Sequence, residues 1–206
     1  MRVLIATHNR GKLREYIDLL ADIAGTAAVE WLSLDDVGIS GEVEETGATM
    51  EENARLKALT YARLSGLLTL ADDSGLEVDA LGGEPGVRSA RFGGPKASDS
   101  DRIAKLLEMM EDIPPAERGA QFRCVIAIST PQGEVHTAEG VCRGQIAYAP
   151  RGMHGFGYDP IFYIPGLRMT LAEAEPEIKN RISHRARAVE AIKPILRELI
   201  ARASKA

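Results

Sequence analysis

The sequence predicts an α/β fold built on a mixed β-sheet. In the first half, short apolar strands alternate with amphipathic helices, an order typical of strand–helix units with parallel strands. In the second half, residues 120–129 and 134–146 show partial alternation of apolar and polar side chains on either side of the turn TPQG. This pattern predicts antiparallel neighbours with one solvated face.

The first strand–helix unit lies at the N-terminus. The strand VLIA (3–6) precedes a predicted helix over 12–24, whose apolar residues recur at helical spacing. These residues are Leu13, Tyr16, Ile17 and Leu20. A second helix follows, for which Thr49 and Glu52 fit a capping box and Gly66 supplies the stop.

The middle of the chain contains a second apolar strand, LLTLA (67–71), which we expect to end at two adjacent aspartates. Residues 74–97 are rich in glycine, proline and serine, and this length predicts a functional or disordered loop. A third helix is predicted over 98–112, and Pro114 ends it.

The C-terminal part begins with a glycine-rich turn and a short aromatic strand within 151–165. A last helix is predicted from about Ser183. Its apolar residues again follow helical spacing, at Val189, Ile192, Leu196 and Leu199.

Composition limits the classes of function. The chain has 206 residues, of which 45% are hydrophobic, and a formal net charge of −5. Such a chain can bury a substantial core, but its acidic balance makes it a poor candidate for binding nucleic acid. No stretch approaches the roughly 20 apolar residues of a membrane span. We therefore expect neither a nucleic-acid partner nor a membrane partner.

The two cysteines, Cys124 and Cys142, lack metal-binding spacing and a CxxC pattern. We interpret them as reduced thiols in strands, which predicts no zinc and suits a cytoplasmic protein. The N-terminus reaches a strand at once, without an apolar signal segment, which also favours the cytoplasm.

The turn THNRGK, between the first strand and helix, carries one lysine, Lys12. It lacks the glycine spacing of a P-loop, although a helix N-terminus with a lysine can still attract an anion. Thr7 or Asn9 would cap the helix in either case. From this turn alone, capping with a solvated lysine and anion binding both remain open.

Carboxylates cluster in two other segments. Asp72 and Asp73 follow a buried-type strand, where α/β proteins place ligands, and could bind Mg²⁺ or orient a water. If the strand continues, their side chains point to opposite faces and only one can face a given site. A turn into Gly75 is the alternative. Glu44 and Glu45 add carboxylates that matter only if the fold brings them beside Asp73.

The segment GFGYDP could approach a ligand closely through its glycines. Phe156 or Tyr158 offers a flat face for a nucleobase, and Asp159, held extended by the following proline, could accept hydrogen bonds. A hairpin turn with core aromatic residues is the alternative.

The segment EIKNRISHRARA places Lys179, His184 and Arg185 near the start of the last helix. Cations in a first helical turn oppose the helix dipole, so a nearby anion or polar ligand would compensate them. A solvated basic face is the alternative.

Five segments in this order and spacing resemble the inosine triphosphate pyrophosphatase family, the dITP/XTP pyrophosphatases. They are ATHNRGK, EETGATMEENARLKA, ADDSGLEVDALGGEPGVRSARFGG, RGMHGFGYDPIF and EIKNRISHRARA. The resemblance implies an elongated mixed β-sheet flanked by helices, with two lobes around a central cleft. It also implies that residues 1–206 form a single catalytic domain, usually in a homodimer.

The implied reaction is Mg²⁺-dependent hydrolysis of ITP, dITP or XTP to the nucleoside monophosphate and pyrophosphate, which clears nonstandard purines from the nucleotide pool. Asp73 would be the general base and a metal ligand, and Glu44 or Glu45 would supply a second ligand. Ser74 would contact substrate. The residues that would hold the triphosphate, with Lys12 as the main cation, are Thr7, His8, Asn9, Arg10, Gly11 and Lys12.

The resemblance also assigns residues to the nucleoside. Those that would hold the base and sugar are Phe156, Gly157, Tyr158 and Asp159. Those that would read the 6-oxo group of the base are Lys179, His184 and Arg185.

Two competing functions remain. One is a related pyrophosphatase acting on pyrimidine or modified nucleotides. The other is a non-hydrolytic nucleotide-binding module, which would not need Asp73 or metal-binding carboxylates.

Overall fold

The computed structural model describes residues 1–25 and 29–203. The strands of this part are β1 (Arg2–Ile5), β2 (Glu30–Leu32), β3 (Leu68–Val78), β4 (Gly119–Ser129), β5 (Val135–Ile146), β6 (Phe162–Ile164) and β7 (Met169–Thr170). The α-helices are α1 (Arg10–Leu19), α2 (Met50–Ser65), α3 (Asp99–Met109), α4 (Pro176–Ile182) and α5 (His184–Ala203). Short 3₁₀ helices lie at Ala21–Gly25, Asp79–Leu81, Gly86–Arg91, Pro115–Glu117, Asp159–Ile161 and Pro165–Leu167.

The seven strands form one sheet in the order β2-β1-β3-β4-β5-β6-β7. β1 runs parallel to β2 and β3, so that Val3 lies opposite both Trp31 and Leu68. β5, β6 and β7 pair antiparallel, with Ile146 opposite Phe162. The predicted α/β fold with a mixed sheet is therefore confirmed.

The chain divides into two compact units, and each has its own apolar core. The first unit comprises Met1–Asp73, Cys124–Gly140 and Arg185–Ala206, and its core is built from β1, β3, β4, α1 and α5. The second comprises Ser74–Arg123 and Val141–His184, and its core includes residues of β3, α3, β4 and β5.

β3 differs most from its prediction. The strand does not end at residue 71 but continues through both aspartates to Val78, so the expectation of a loop directly after residue 73 is wrong. Leu76 and Val78 are fully buried, whereas Glu77 between them accepts hydrogen bonds from Gln121 and Arg123. This alternation of apolar and polar side chains is that of a strand with one buried face, and it keeps the chain extended past Gly75.

The helix boundaries also shift. α1 begins at Arg10 rather than at residue 12 and ends at Leu19, after which Ala21–Gly25 forms a 3₁₀ helix. The segment before the last helix forms the short helix α4, and α5 begins at His184 after an extended Ser183. β2 and β7 were not predicted from the sequence.

The predicted ends of α2 are confirmed. Thr49 and Glu52 form the capping box of α2, and Gly66 ends that helix in the left-handed conformation. Cys124 and Cys142 are not joined in a disulfide and are buried in β4 and β5. None of the helices within residues 1–25 and 29–203 is long and apolar enough to cross a membrane.

The apolar face of α5 generates a stability prediction. Leu196 is fully buried in the first core, so Leu196→Ala should lower the free energy of unfolding by about 2–5 kcal/mol because it leaves a cavity. Leu64 of α2 is 66% exposed, and Leu64→Ala should change the same quantity by less than about 0.5 kcal/mol. Urea unfolding followed by circular dichroism measures both. Equal losses for the two variants would contradict the assigned core.

Candidate functional site

The turn between β1 and α1 is organised by its own side chains. Asn9 is the N-cap of α1, and its side chain accepts a hydrogen bond from the backbone N–H of Lys12 at 3.0 Å. The N–H of Asn9 donates in turn to Oγ1 of Thr7 at 3.1 Å. The predicted capping is therefore confirmed. His8 and Arg10 are exposed and Gly11 is half-buried beside them, so the positive end of the helix dipole faces an accessible surface.

Lys12 is held by a carboxylate of the neighbouring strand. Its Nζ donates to Oδ2 of Asp72 at 2.8 Å, and Asp72 is almost fully buried. Burial by itself would raise the pKa of Asp72, but the charges of Lys12, Arg185 and Lys57 hold that pKa well below its usual range. Asp72 is therefore ionised at neutral pH and compensates part of the charge of Lys12.

Asp73 has different partners. Its Oδ2 accepts a hydrogen bond from Nδ2 of Asn53 in α2 at 3.0 Å. Burial raises the pKa of Asp73, and the nearby charge of Glu45 acts in the same direction, against the opposing effects of Lys57 and Asn53. The strand continues through both aspartates, and the two carboxylates engage different helices, as expected from alternation along a strand.

Of the two candidate glutamates, Glu45 is the one whose charge acts on the pKa of Asp73. Oε1 of Glu45 lies 2.5 Å from Nζ of Lys57, whereas Glu44 is exposed. Within the part of the chain that the structure describes, no group of three or more His, Cys, Asp or Glu side chains could hold a metal ion. Asp73 and Glu45 nevertheless offer the oxygen ligands that Mg²⁺ prefers, and Mg²⁺ commonly uses one or two carboxylates together with substrate oxygens.

Asn53 and Lys57 of this cluster were not predicted from the sequence, and Asp72 was predicted only as one of two aspartates of which one faces a site. Asn53 and Lys57 lie four positions apart in α2, which places them on one face of the helix. That spacing was a usable signal. The role of Asp72 as the partner of Lys12 depends on a contact across 60 residues, which the sequence does not reveal.

A second polar cluster lies in the second unit. Nζ of Lys179 donates to Oδ2 of the buried Asp159 at 2.6 Å and lies 4.8 Å from the ring centroid of Phe156. The same Oδ2 accepts a hydrogen bond from the N–H of Phe156 at 2.9 Å. The structure thus brings Lys179, Asp159 and Phe156 together, although Asp159 begins a 3₁₀ helix and is not held extended by Pro160 as the sequence predicted.

The two aromatic side chains of GFGYDP differ in exposure. Tyr158 is buried in the second core, and its hydroxyl donates to the carbonyl oxygen of Ser89 at 3.0 Å. Phe156 is half-buried and lines a cavity of about 610 Å³ together with Gly157. Of the two rings that could offer a flat face, Phe156 is the more accessible.

The remaining predicted site residues are Ser74 and His184, which belong to the second unit, and Arg185, which belongs to the first. Ser74 comes directly after Asp73 in β3 and is half-buried. The ring of His184 is buried and stacks on Phe122, with centroids 4.7 Å apart. The guanidinium of Arg185 is buried in the first unit, where it pairs with Glu15 and approaches Asp72.

Comparison with known proteins identifies the family. Residues 3–195 match the sequence model of the Ham1 family. The chain belongs to the Ham1 family.

Relatives in this family share nearly the whole chain. A protein of Desulforamulus reducens named dITP/XTP pyrophosphatase is 48% identical over 199 residues, which cover 97% of each chain. A Bacillus subtilis protein of the same name is 44% identical, covering 94% of this chain and 96% of its own. These names agree with the family that the five sequence segments predict.

Solved structures of the family share the fold. The structure of a Ham1 protein from Coxiella burnetii matches with a TM-score of 0.85 and 42% identity, covering 96% of this chain and 99% of its own. A crystal structure from Mycobacterium abscessus, described as a nucleoside-triphosphatase and dITP/XTP pyrophosphatase, matches with a TM-score of 0.75 and 46% identity. That match covers 95% of this chain and 100% of the other.

The packing around Asp159 generates a prediction about two glycines. Gly155 and Gly157 both have positive φ, but a Cβ on Gly155 would lie 2.1 Å from Oδ2 of Asp159, whereas one on Gly157 would meet nothing within 4 Å. Gly155→Ala should therefore lower the free energy of unfolding by at least about 1 kcal/mol more than Gly157→Ala. Urea unfolding of both variants checks this. Equal losses would show that Asp159 moves aside without cost.

Proposed function

We propose that this protein hydrolyses nonstandard purine nucleoside triphosphates, among them ITP, dITP and XTP, to the nucleoside monophosphate and pyrophosphate. The observation that carries the proposal is the environment of the two aspartates of β3. Asp72 holds the lysine at the capped N-terminus of α1, whereas burial raises the pKa of Asp73 and the charge of Glu45 acts in the same direction. The names of the close relatives support this choice of substrate.

The phosphate end of the substrate is assigned to the turn Thr7–Lys12. An anion there would meet the positive end of the α1 dipole, and Lys12 adds a full charge. Transfer of a phosphoryl group to water needs positioning and charge neutralisation more than covalent help. The turn neutralises the negative charge of the phosphates, although it lacks the glycine spacing of a P-loop.

Asp73 is assigned the role of general base. Its raised pKa makes it a better proton acceptor than an ordinary carboxylate, and the hydrogen bond from Asn53 fixes its orientation. In the reaction, the water oxygen forms a bond to the α-phosphorus and the bond from that phosphorus to the bridging oxygen breaks. Asp73 takes the proton of the water, and pyrophosphate leaves.

We assign Mg²⁺ to Asp73 and Glu45. Asp73 and Glu45 carry two carboxylates against the one ammonium of Lys57, and the charge of Glu45 raises the pKa of Asp73, so a cation bound there would be favoured. When bound, Mg²⁺ would neutralise phosphate oxygens and polarise the phosphorus centre. Of the two glutamates that the sequence left open, exposure and position favour Glu45 over Glu44.

Recognition of the base is assigned to the second polar cluster. Inosine and xanthosine carry an acceptor at position 6 where adenosine carries a donor, so cationic donors such as Lys179 favour the nonstandard bases. A site whose buried donors would be left unpaired can reject the wrong base by several orders of magnitude. His184 and the segment Phe156–Asp159 share this assignment. Arg185 is also predicted to read the base.

We extend the proposal to the oligomeric state, the location and the partners of the protein. We propose a homodimer that works in the cytoplasm on free nucleotides, as a single functional domain over residues 1–206. Neither nucleic acid nor a membrane is a proposed partner.

A substrate panel tests the reaction class. The protein is incubated with ITP, XTP, dITP, ATP, GTP, dTTP or UTP, each with Mg²⁺ and with excess chelator, and the products are separated by chromatography. We expect IMP, dIMP or XMP together with pyrophosphate, little turnover of ATP or GTP, and no turnover with chelator. A diphosphate with inorganic phosphate would contradict the mechanism. Preference for dTTP or UTP would favour the pyrimidine enzyme, and binding without turnover would favour the nucleotide-binding module.

The base assignment is tested at Asp73. Asp73→Asn should lower kcat for ITP by at least about a hundredfold, because the amide cannot accept the proton of water. The dissociation constant of ITP should change by less than about fivefold, since Lys12 is untouched. Asp112→Asn, at an exposed position, is the matched control and should leave both values unchanged. Normal turnover by Asp73→Asn would refute the assignment.

A further inference from the structure

Two carboxylates hold the backbone on either side of the Phe156 side chain. The N–H of Phe156 donates to Oδ2 of Asp159 at 2.9 Å, and the next N–H along the chain, that of Gly157, donates to Oδ2 of Asp99 at 2.7 Å. Asp159 lies three residues from Phe156, whereas Asp99 belongs to α3 and lies 58 residues before Gly157. All of these residues belong to the second unit. Asp99 therefore fixes the backbone next to Phe156 to a distant helix.

The N-terminus of α3 is capped without Asp99. The capping box consists of Ser98 and Asp101, whose side chains each accept a hydrogen bond from the backbone N–H of the other. An aspartate in a first helical turn ordinarily compensates the helix dipole. The carboxylate of Asp99 does more, because Oδ1 accepts a hydrogen bond from Nη1 of Arg102 at 2.6 Å while Oδ2 binds the N–H of Gly157. Asp99 thus joins a side chain of its own helix to the backbone of the segment that carries Phe156.

Arg102 fixes the orientation of Asp99. The two residues are three positions apart in α3, and 20% of the Arg102 side chain is exposed. Nε of Arg102 is buried and has no hydrogen-bond partner within residues 1–25 and 29–203. Because a buried N–H without a partner costs free energy, an arginine here is a poor choice for stability alone. Its bond to Oδ1 of Asp99 leaves Oδ2 directed at Gly157.

The contact between Asp99 and Gly157 lies at the edge of the cavity that Phe156 faces. Asp99, Phe156 and Gly157 all line this cavity of about 610 Å³. The ring of Phe156 is half-buried, and Nζ of Lys179 lies 4.8 Å from its centroid. Ordering a loop during binding costs conformational entropy, and a hydrogen bond that orders the loop beforehand reduces this cost. The bond from Gly157 to Asp99 therefore keeps the ring of Phe156 in place before a ligand arrives.

We propose that Asp99 is a positioning residue for the base of the substrate, which fixes the ring of Phe156 through the N–H of Gly157, and that Arg102 orients Asp99. The inference rests on the proposed function, in which the segment Phe156–Asp159 shares in recognition of the base. The effect of Asp99 falls on the affinity for the nucleoside. The affinity for phosphates and the transfer of the phosphoryl group do not depend on it.

The two products of the proposed reaction separate base from phosphates, because IMP contains the base and pyrophosphate does not. Both dissociation constants are measured by calorimetry at fixed Mg²⁺. Asp99→Ala should weaken IMP binding about five- to twentyfold, since a hydrogen bond to a charged acceptor is lost, and leave pyrophosphate affinity within about twofold. KM for ITP should rise by a similar factor while kcat changes less than about threefold. Asp99→Asn keeps an oxygen that can accept from Gly157 and should recover most of the IMP affinity.

Arg102→Met tests whether Arg102 acts through Asp99. By itself it should weaken IMP binding about two- to fivefold, and in the Asp99→Ala background it should add less than about twofold, because residues that act as a unit are not additive. Glu108→Gln removes a carboxylate from an exposed position of the same helix and is the matched control. It should leave both affinities within about twofold, because an exposed charge is screened by salt. Urea unfolding confirms that each variant is folded.

Hydrogen exchange in the protein without nucleotide reports on the loop itself. The amide of Gly157, followed in peptides that cover residues 153–158, should exchange about tenfold faster in Asp99→Ala, because it has lost its acceptor. Unchanged exchange, unchanged IMP affinity, or equal losses of IMP and pyrophosphate affinity would overturn the proposal. Failure of the wild type to bind IMP and to hydrolyse ITP would instead overturn the proposed function, and the exchange rates would still decide whether Asp99 fixes the loop.

Discussion

Two adjacent carboxylates in the middle of an extended strand impose the main physical constraint on this protein. Asp72 and Asp73 are both buried in β3, and a buried ionised carboxylate is costly unless charges or hydrogen bonds compensate it. Alternation along the strand directs the two side chains apart, so one neighbourhood cannot serve both. Lys12 and Arg185 compensate Asp72, and Asn53 compensates Asp73. These partners come from α1, α2 and the start of α5.

Because their partners differ, Asp72 and Asp73 also differ in pKa. Asp72 is surrounded by cations that lower its pKa, so it remains a permanent anion that organises Lys12. Burial raises the pKa of Asp73, and the like charge of Glu45 acts in the same direction. Environments that push the pKa values of two titratable groups apart are the usual way in which one protein assigns them different roles. In the proposed reaction, the first aspartate positions a cation and the second accepts a proton.

The sequence predicts local features of this fold better than long-range ones. The cap at Asn9, the capping box of α2 and the buried face of α5 depend on residues three or four positions apart, and all three are confirmed. The extension of β3 was missed because Ser74 and Gly75 suggest a turn. The burial of Leu76 and Val78 in a core drawn from distant segments overrides that local preference.

The candidate site shows the same difference between local features, which the sequence predicts, and long-range contacts, which it does not. The segments that resemble the family contain Lys12, Asp73 and the group of Lys179 with Asp159 and Phe156, all of which make polar contacts in the structure. They do not reveal Asp72 as the partner of Lys12, because that contact joins residues 60 positions apart. A motif groups residues that are neighbours in the chain, whereas charge compensation groups residues that are neighbours in space.

Arg185 illustrates how these two groupings can conflict. A cation in the first turn of a helix opposes the dipole, and the sequence therefore predicts a compensating anion or polar ligand near the start of α5. The structure supplies anions from the protein itself, Glu15 and Asp72, and buries the guanidinium between them. The electrostatic reasoning was sound, but sequence position cannot tell a bound ligand from a carboxylate 170 residues away. Burial distinguishes them, because the charge of a guanidinium that is 1% exposed is compensated here by two carboxylates of the protein.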